Sequence, residues 1–78
     1  MEFLVKLCAI ENVKKFVHFA NSYDCDIFVK SHDKSYIVDG SSIMGVLSLD
    51  LREPIIVHIE DMESGESFKN DVADFVID

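Results

Sequence analysis

The sequence predicts one α/β domain of the mixed α+β kind, spanning residues 1–78: a four-stranded, mainly antiparallel sheet with three helices on one face. Three observations carry this. Apolar residues make up 49% of the chain, with six Phe, one Pro and three Gly, which is a folding composition rather than a disordered one. Four short runs alternate at strand period, and they are separated by runs at helical spacing. The resulting order, β-α-β-β-α-β-α, closes through right-handed crossovers that leave the helices on one side of the sheet. A chain of 78 residues hides only about 60% of its unfolded surface. It therefore builds one modest core and has little room for a deep catalytic cavity.

The elements follow in order. From Glu2 to Cys8, Phe3, Val5 and Leu7 alternate with Glu2, Leu4 and Lys6, giving a first strand. Ile10, Val13, Phe16, Val17 and Ala20 then share one helix face, with Glu11 placed in the first turn to offset the dipole. Asn21–Asp24 is turn chemistry. Cys25, Ile27 and Val29 alternate with Asp26, Phe28 and Lys30 in a second strand. Ser31–Lys34 is a tight polar connection to a third strand, Ser35–Asp39, so the two form a hairpin. Gly40-Ser41-Ser42 opens a short helix through Ile43, Met44, Val46 and Leu47. Pro54 precedes a fourth strand, Ile55–Glu60, where its missing N–H does least harm. A last helix, Ser64–Val76, carries Phe68, Val72, Phe75 and Val76 at helical spacing. The expected core joins Val5, Phe16, Val17, Ile27, Val29, Val57, Ile59, Val72 and Phe75.

Fifteen Asp and Glu against seven Lys and Arg leave a net charge of −8. Nucleic acid and anionic membranes both need a basic patch, so neither is expected as a partner. Basic protein surfaces are. The N-terminal MEFLVKLCAI has an acid at Glu2 and no basic stretch, and it does not read as a signal peptide. No apolar run approaches the ~20 residues of a membrane-spanning helix. Cys8 and Cys25 read as reduced, small, buried side chains of a cytoplasmic protein. His18, His32 and His58 fall on three separate elements with no ligand spacing, so neither a metal nor another cofactor is expected. No Ser-His-Asp set or carboxylate pair is legible, and the chain does not read as an enzyme. Glu60, Asp61, Glu63 and Glu66 read as a solvated acidic end.

The most specific string is SSIMGVLSLDL, Ser41 to Leu51. It resembles the second-helix segment of HPr, the small phosphocarrier of the bacterial phosphoenolpyruvate:sugar phosphotransferase system, in its Gram-positive form. The similarity runs to the C-terminus and back through YDCDIFV (Tyr23–Val29) and KKFVHFA (Lys14–Ala20). It covers nearly the whole chain, and it implies the sheet order first, fourth, second, third. HPr carries a phosphorylatable His at the start of its first helix, in a pattern like GIHARP. Anchored on Phe16-Val17, that His falls on Ala9, the Arg on Glu11 and the Pro on Asn12. A methyl group accepts no phosphoryl group, and Glu11 repels one, so the carrier chemistry is expected to be absent.

The family's regulatory serine aligns with Ser42, followed by the apolar pair Ile43-Met44. In Gram-positive HPr this serine is phosphorylated by a dedicated kinase, and the product binds a catabolite-control transcription factor. The resemblance thus implies a regulatory, protein-binding module whose partners are a transcriptional regulator or kinase of carbon metabolism. Ser42 is its candidate switch, and Ile43, Met44 and Leu47 are candidate contact residues. A helix-capping role alone is the competing reading for Ser42. Two other functions compete: a phosphocarrier acting through another residue, such as His18 or His58, and a small-molecule-binding domain of the ferredoxin-like ACT type, with strand order 4-1-3-2. The family's sheet order also places Leu4, Ile56, Phe28 and Ile37 across the helix-free face, beside Lys6, Lys30 and His58. An open antiparallel face is normally polar, so this strip is expected to be a contact surface, with a two-fold homodimer as one way to cover it.

Overall fold

A computed structural model of the chain describes residues 1–77. The elements are β1 (Glu2–Val5), α1 (Ile10–Asn21), β2 (Ile27–Lys30), β3 (Ile37–Asp39), α2 (Ile43–Leu47), β4 (Ile55–Ile59) and α3 (Met62–Asp71), then a 3₁₀ turn, Ala73–Phe75. The strands lie in the order β1-β4-β2-β3, antiparallel at each pairing. This is the order the resemblance implied, and it excludes the ferredoxin-like alternative. Phe3, Val5, Ile27, Val29, Val57 and Ile59 point to the helices. There they meet Val13, Phe16, Val17 and Ala20 of α1, Val46 of α2, and Phe68 of α3 in one core.

Element ends differ from expectation where local hydrogen bonds outcompete pattern. The first strand pairs with β4 only as far as Val5, and its other edge has a second partner. Lys6 N donates to Phe75 O at 2.8 Å, Ile77 N donates to Leu4 O at 3.1 Å, and Val5 bridges Val76. The C-terminal segment thereby covers the outer edge of β1. The third strand begins at Ile37 because Asp33 collects Ser31 Oγ, Ser35 N and Ser35 Oγ into a tight turn, with Lys34 in the left-handed region at φ 65°. Those hydrogen bonds hold the Asp33 carboxyl well below its usual range, at about 2. The last helix starts at Met62, since the Asp61 carboxylate accepts from Ser64 N at 3.0 Å and caps it.

Four expected burials need correction. Phe75 is half-buried, because it lies on the 3₁₀ turn at the rim of the core. Ile10, placed with the core face of α1, is 52% exposed, because it occupies the helix's first position beyond the sheet. Cys8 is exposed and Cys25 half-buried, since both sit in the loops that lead into α1 and β2. Gly40 is required by a close approach: a Cβ there would lie 3.0 Å from both Ile27 O and Ile27 Cγ2.

Phe68 organises the helix side of the core. Its ring stands edge-on to Phe16 at 5.2 Å and to Tyr23 at 5.6 Å, and tilted on Phe3 at 6.4 Å, so it ties α3 to α1, to the turn before β2, and to β1. Such rings add stabilisation beyond the area they bury. Phe68→Ala is expected to lower unfolding stability by about 3–5 kcal/mol in urea titrations. A loss below about 1 kcal/mol would mean that the three aromatic contacts are not what joins these elements.

Candidate functional site

The start of α1 and the whole of α2 are brought side by side. Ala9 is the N-cap of α1, extended at φ −139° and ψ 159°, and its methyl supplies no cap hydrogen bond. At the other end of the helix, Asn21 Nδ2 donates to Val17 O at 2.9 Å and to Ser41 O at 3.0 Å. That amide fixes the loop before α2 to α1. A shallow cavity of about 380 Å³ lies between the two helices, lined by Ala9, Ile10, Leu47, Leu51, Lys6 and Arg52 among others. Its two cations are engaged: Lys6 Nζ donates to Leu51 O at 3.0 Å, and Arg52 forks onto Asp50 at 2.9 and 3.1 Å.

Ser42 is the N-cap of α2. Its Oγ accepts from Gly45 N at 3.2 Å, while its own N–H donates to Asp39 O at 3.1 Å. The preceding turn is held by Asp39 Oδ1, which accepts from Ser41 N at 2.9 Å and Ser41 Oγ at 2.7 Å. The Ser41 hydroxyl and then its N–H hold the Asp39 carboxyl below the usual range, so it stays ionised beside the cap. Ile43 packs partly against the core, whereas Met44 is 77% exposed and Leu47 40% exposed. At i and i+3, Met44 and Leu47 share one side of α2, and Ile10 adds a third exposed apolar group next to Leu47. Sequence reasoning missed Ile10 because its periodicity matched the core face. Its place at the first helical position was the signal that it sits beyond that face's cover.

The open face departs from the expected strip. Register aligns Leu4, Ile56, Lys30 and Ile37 in one row, and Glu2, His58, Phe28 and Asp39 in the next. Phe28 is therefore not in line with Ile56, and Lys30 breaks the row. Ile56 is buried, only 8% exposed, and Leu4 is half-buried. The reason is an ion pair that crosses β4: Lys30 Nζ on β2 reaches Glu2 Oε2 on β1 at 2.6 Å. The lysine stem lies over the central strand and covers apolar surface. Phe28 and Ile37 alone remain well exposed.

The three histidines do not converge. His18 and His32 are exposed on α1 and in the β2–β3 connection. His58 has both ring nitrogens against carboxylates, Nδ1 to Glu2 and Nε2 to Glu60, each at 2.9 Å. The hydrogen bond from Lys30, and then that with His58, keeps the Glu2 carboxyl below its usual range, and His58 does the same to Glu60. A ring flanked by two carboxylates meets an incoming phosphoryl group with repulsion on both sides. Among the described residues, no three His, Cys, Asp or Glu side chains gather where one metal ion could sit, and no helix is long and apolar enough to cross a membrane.

Comparison with known proteins agrees with this architecture. The solved structure of the phosphocarrier protein HPr from Bacillus anthracis str. Ames superposes with a TM-score of 0.71 at 23% identity, covering 96% of this chain and 95% of that one. At that identity the likeness speaks for the fold. No curated protein sequence matches the chain. The family profile described as "PTS HPr component phosphorylation site" matches residues 11–70, well over half of the chain. The chain thus belongs to the HPr family of the phosphotransferase system.

Proposed function

We propose that this protein is a member of the HPr family that does not carry phosphate on histidine and instead regulates by binding other proteins, with Ser42 as a phosphorylation switch. The observation that supports it is the contrast between the two family positions. Ala9 stands where the nucleophile is expected, with Glu11 in place of the cation, while Ser42 caps α2 next to exposed Met44 and Leu47. In the switch, the Ser42 hydroxyl attacks the γ-phosphorus of ATP. The new O–P bond forms as the bond to the β-phosphate oxygen breaks, ADP leaves, and the hydroxyl proton passes to a base of the kinase. The product places about −1.5 to −2 of charge at the rim of the Met44–Leu47 surface. The partners are a transcriptional regulator or kinase of carbon metabolism, met in the cytoplasm, and no cofactor is required. The homodimer expected from an unbroken apolar strip has no place in this reading, since Lys30 and the burial of Ile56 interrupt that strip.

Two measurements test it. With the family's serine kinase and ATP, mass spectrometry is expected to find phosphate on Ser42 in the wild type and none in Ser42→Ala. Modification at Ser41 or Ser48 instead, or none at all, would remove the switch. With phosphoenolpyruvate and the first enzyme of the system, neither the wild type nor Ala9→His is expected to acquire acid-labile phosphate, because Glu11 remains beside the new imidazole. Efficient labelling of Ala9→His would show that electrostatic argument to be wrong. Labelling of His18 or His58 in the wild type would make the protein a carrier after all.

A further inference from the structure

We propose that the outer edge of β3 is a docking site for an extended segment of a partner protein in which apolar and basic residues alternate. The backbone supplies the first part of the argument. Gly40 N donates to Ile27 O at 2.7 Å and Ser31 N to Tyr36 O at 2.9 Å. Antiparallel pairs alternate, so with Val29 opposite Val38, the N–H and C=O of Ile37 point away from β2, as does the N–H of Asp39. The outward Asp39 carbonyl is already taken by Ser42 N. Among the described residues, the N–H and C=O of Ile37 have no partner, and they stand on a strand whose side chain is 61% exposed. The opposite edge of the sheet, by contrast, is closed by Val76 and Ile77.

Two cavities of opposite character flank this edge. On the open face, Phe28, Ile37 and the Lys30 stem bound a cavity of about 340 Å³ that His58 and Glu60 complete. On the helix side, Tyr36 borders a second cavity of about 310 Å³ that Asp33, Asp50 and Glu53 line with carboxylates. Successive side chains of an added strand point to opposite faces. A residue toward the open face therefore enters the Phe28–Ile37 cavity, and its neighbour turns toward the acids. Arg52 is already paired with Asp50, so Asp33 and Glu53 keep negative charge for a lysine or arginine. A second copy of this chain is a poor occupant. It would bring its own Asp33 and Asp39 to the same acids, on a molecule of charge −8.

The probe is an acetylated, amidated hexapeptide alternating lysine and valine, titrated into the ¹⁵N-labelled protein. The expected result is a saturable shift of the Ile37 and Asp39 amides, with the reversed-charge glutamate–valine peptide at least about tenfold weaker. A peptide of the same composition with its lysines and valines in separate blocks is expected to be weaker to a similar degree. Ile37→Pro deletes only an outward N–H and is expected to weaken the alternating peptide by about tenfold. Glu53→Lys changes an exposed side chain, and it is expected to weaken the peptide while leaving the amide spectrum of the fold in place. Equal binding of the block peptide reduces the effect to bulk charge and overturns the proposal, as does an alternating peptide that leaves Ile37 and Asp39 unshifted. Shifts of those amides with protein concentration alone, without peptide, would assign the edge to a second copy instead.

Discussion

Strand β4 is the constraint on which the rest depends. It pairs with β1 through Glu2–Val5 and with β2 through Ile27–Lys30, so it joins the chain's N-terminus to its middle. Four of its five residues are buried, and only His58 is partly open. Full burial of a Val or Ile side chain is worth about 1.5–3 kcal/mol, and Ile55, Val57 and Ile59 are inaccessible to solvent. These pairings are non-local and form only after long loops close. Everything flanking β4 is then placed relative to it: α1 and α3 over its inner side, and the Lys30–Glu2 pair across its outer side.

That arrangement holds the start of α1 in place without help from the Ala9 side chain. The Ala9 methyl contributes no hydrogen bond, its carbonyl accepts from Asn12 N and Val13 N as at any helix start, and α1 is held by Val13, Phe16, Val17 and Ala20. The α2 region is anchored independently through Asn21 to Ser41, through Gly40 against Ile27, and by the Asp39 turn. The starts of α1 and α2 are therefore anchored independently of one another.

Element order, strand order and core membership were legible in the sequence because alternation and helical spacing report which face is buried. Val5, Phe16, Ile27, Val29, Val57, Ile59 and Val72 are all buried as read. The open face was misjudged for a different reason. Alternation puts Ile56 and Phe28 on the outer side, but it does not say that β2 is offset so that Lys30 faces Ile56. Nor does it say that Lys30 reaches over β4 to Glu2, since those residues are neighbours only after folding. Ala9 and Ser42 were singled out by the resemblance alone. The pairing of Ile10 with Leu47 around one cavity was illegible, because it depends on how the start of α1 meets α2.

Charge limits how a switch at Ser42 could act. Four of the seven cations are committed in the fold: Lys30 to Glu2, Arg52 to Asp50, Lys6 to the Leu51 carbonyl, and Lys69 over the Phe3 ring at 5.6 Å. The chain is strongly acidic already, at −8. Adding about −2 alters the long-range field only modestly, and the field is screened beyond about 8 Å at physiological ionic strength. A phosphate here must work at short range. Gly45 N already bonds to Ser42 Oγ, and Met44 lies two residues along the chain with its side chain exposed. On the proposed reading, a partner that senses the change sits on the methionine and reads the phosphate with its own cations, since no lysine or arginine hydrogen-bonds at Ser42.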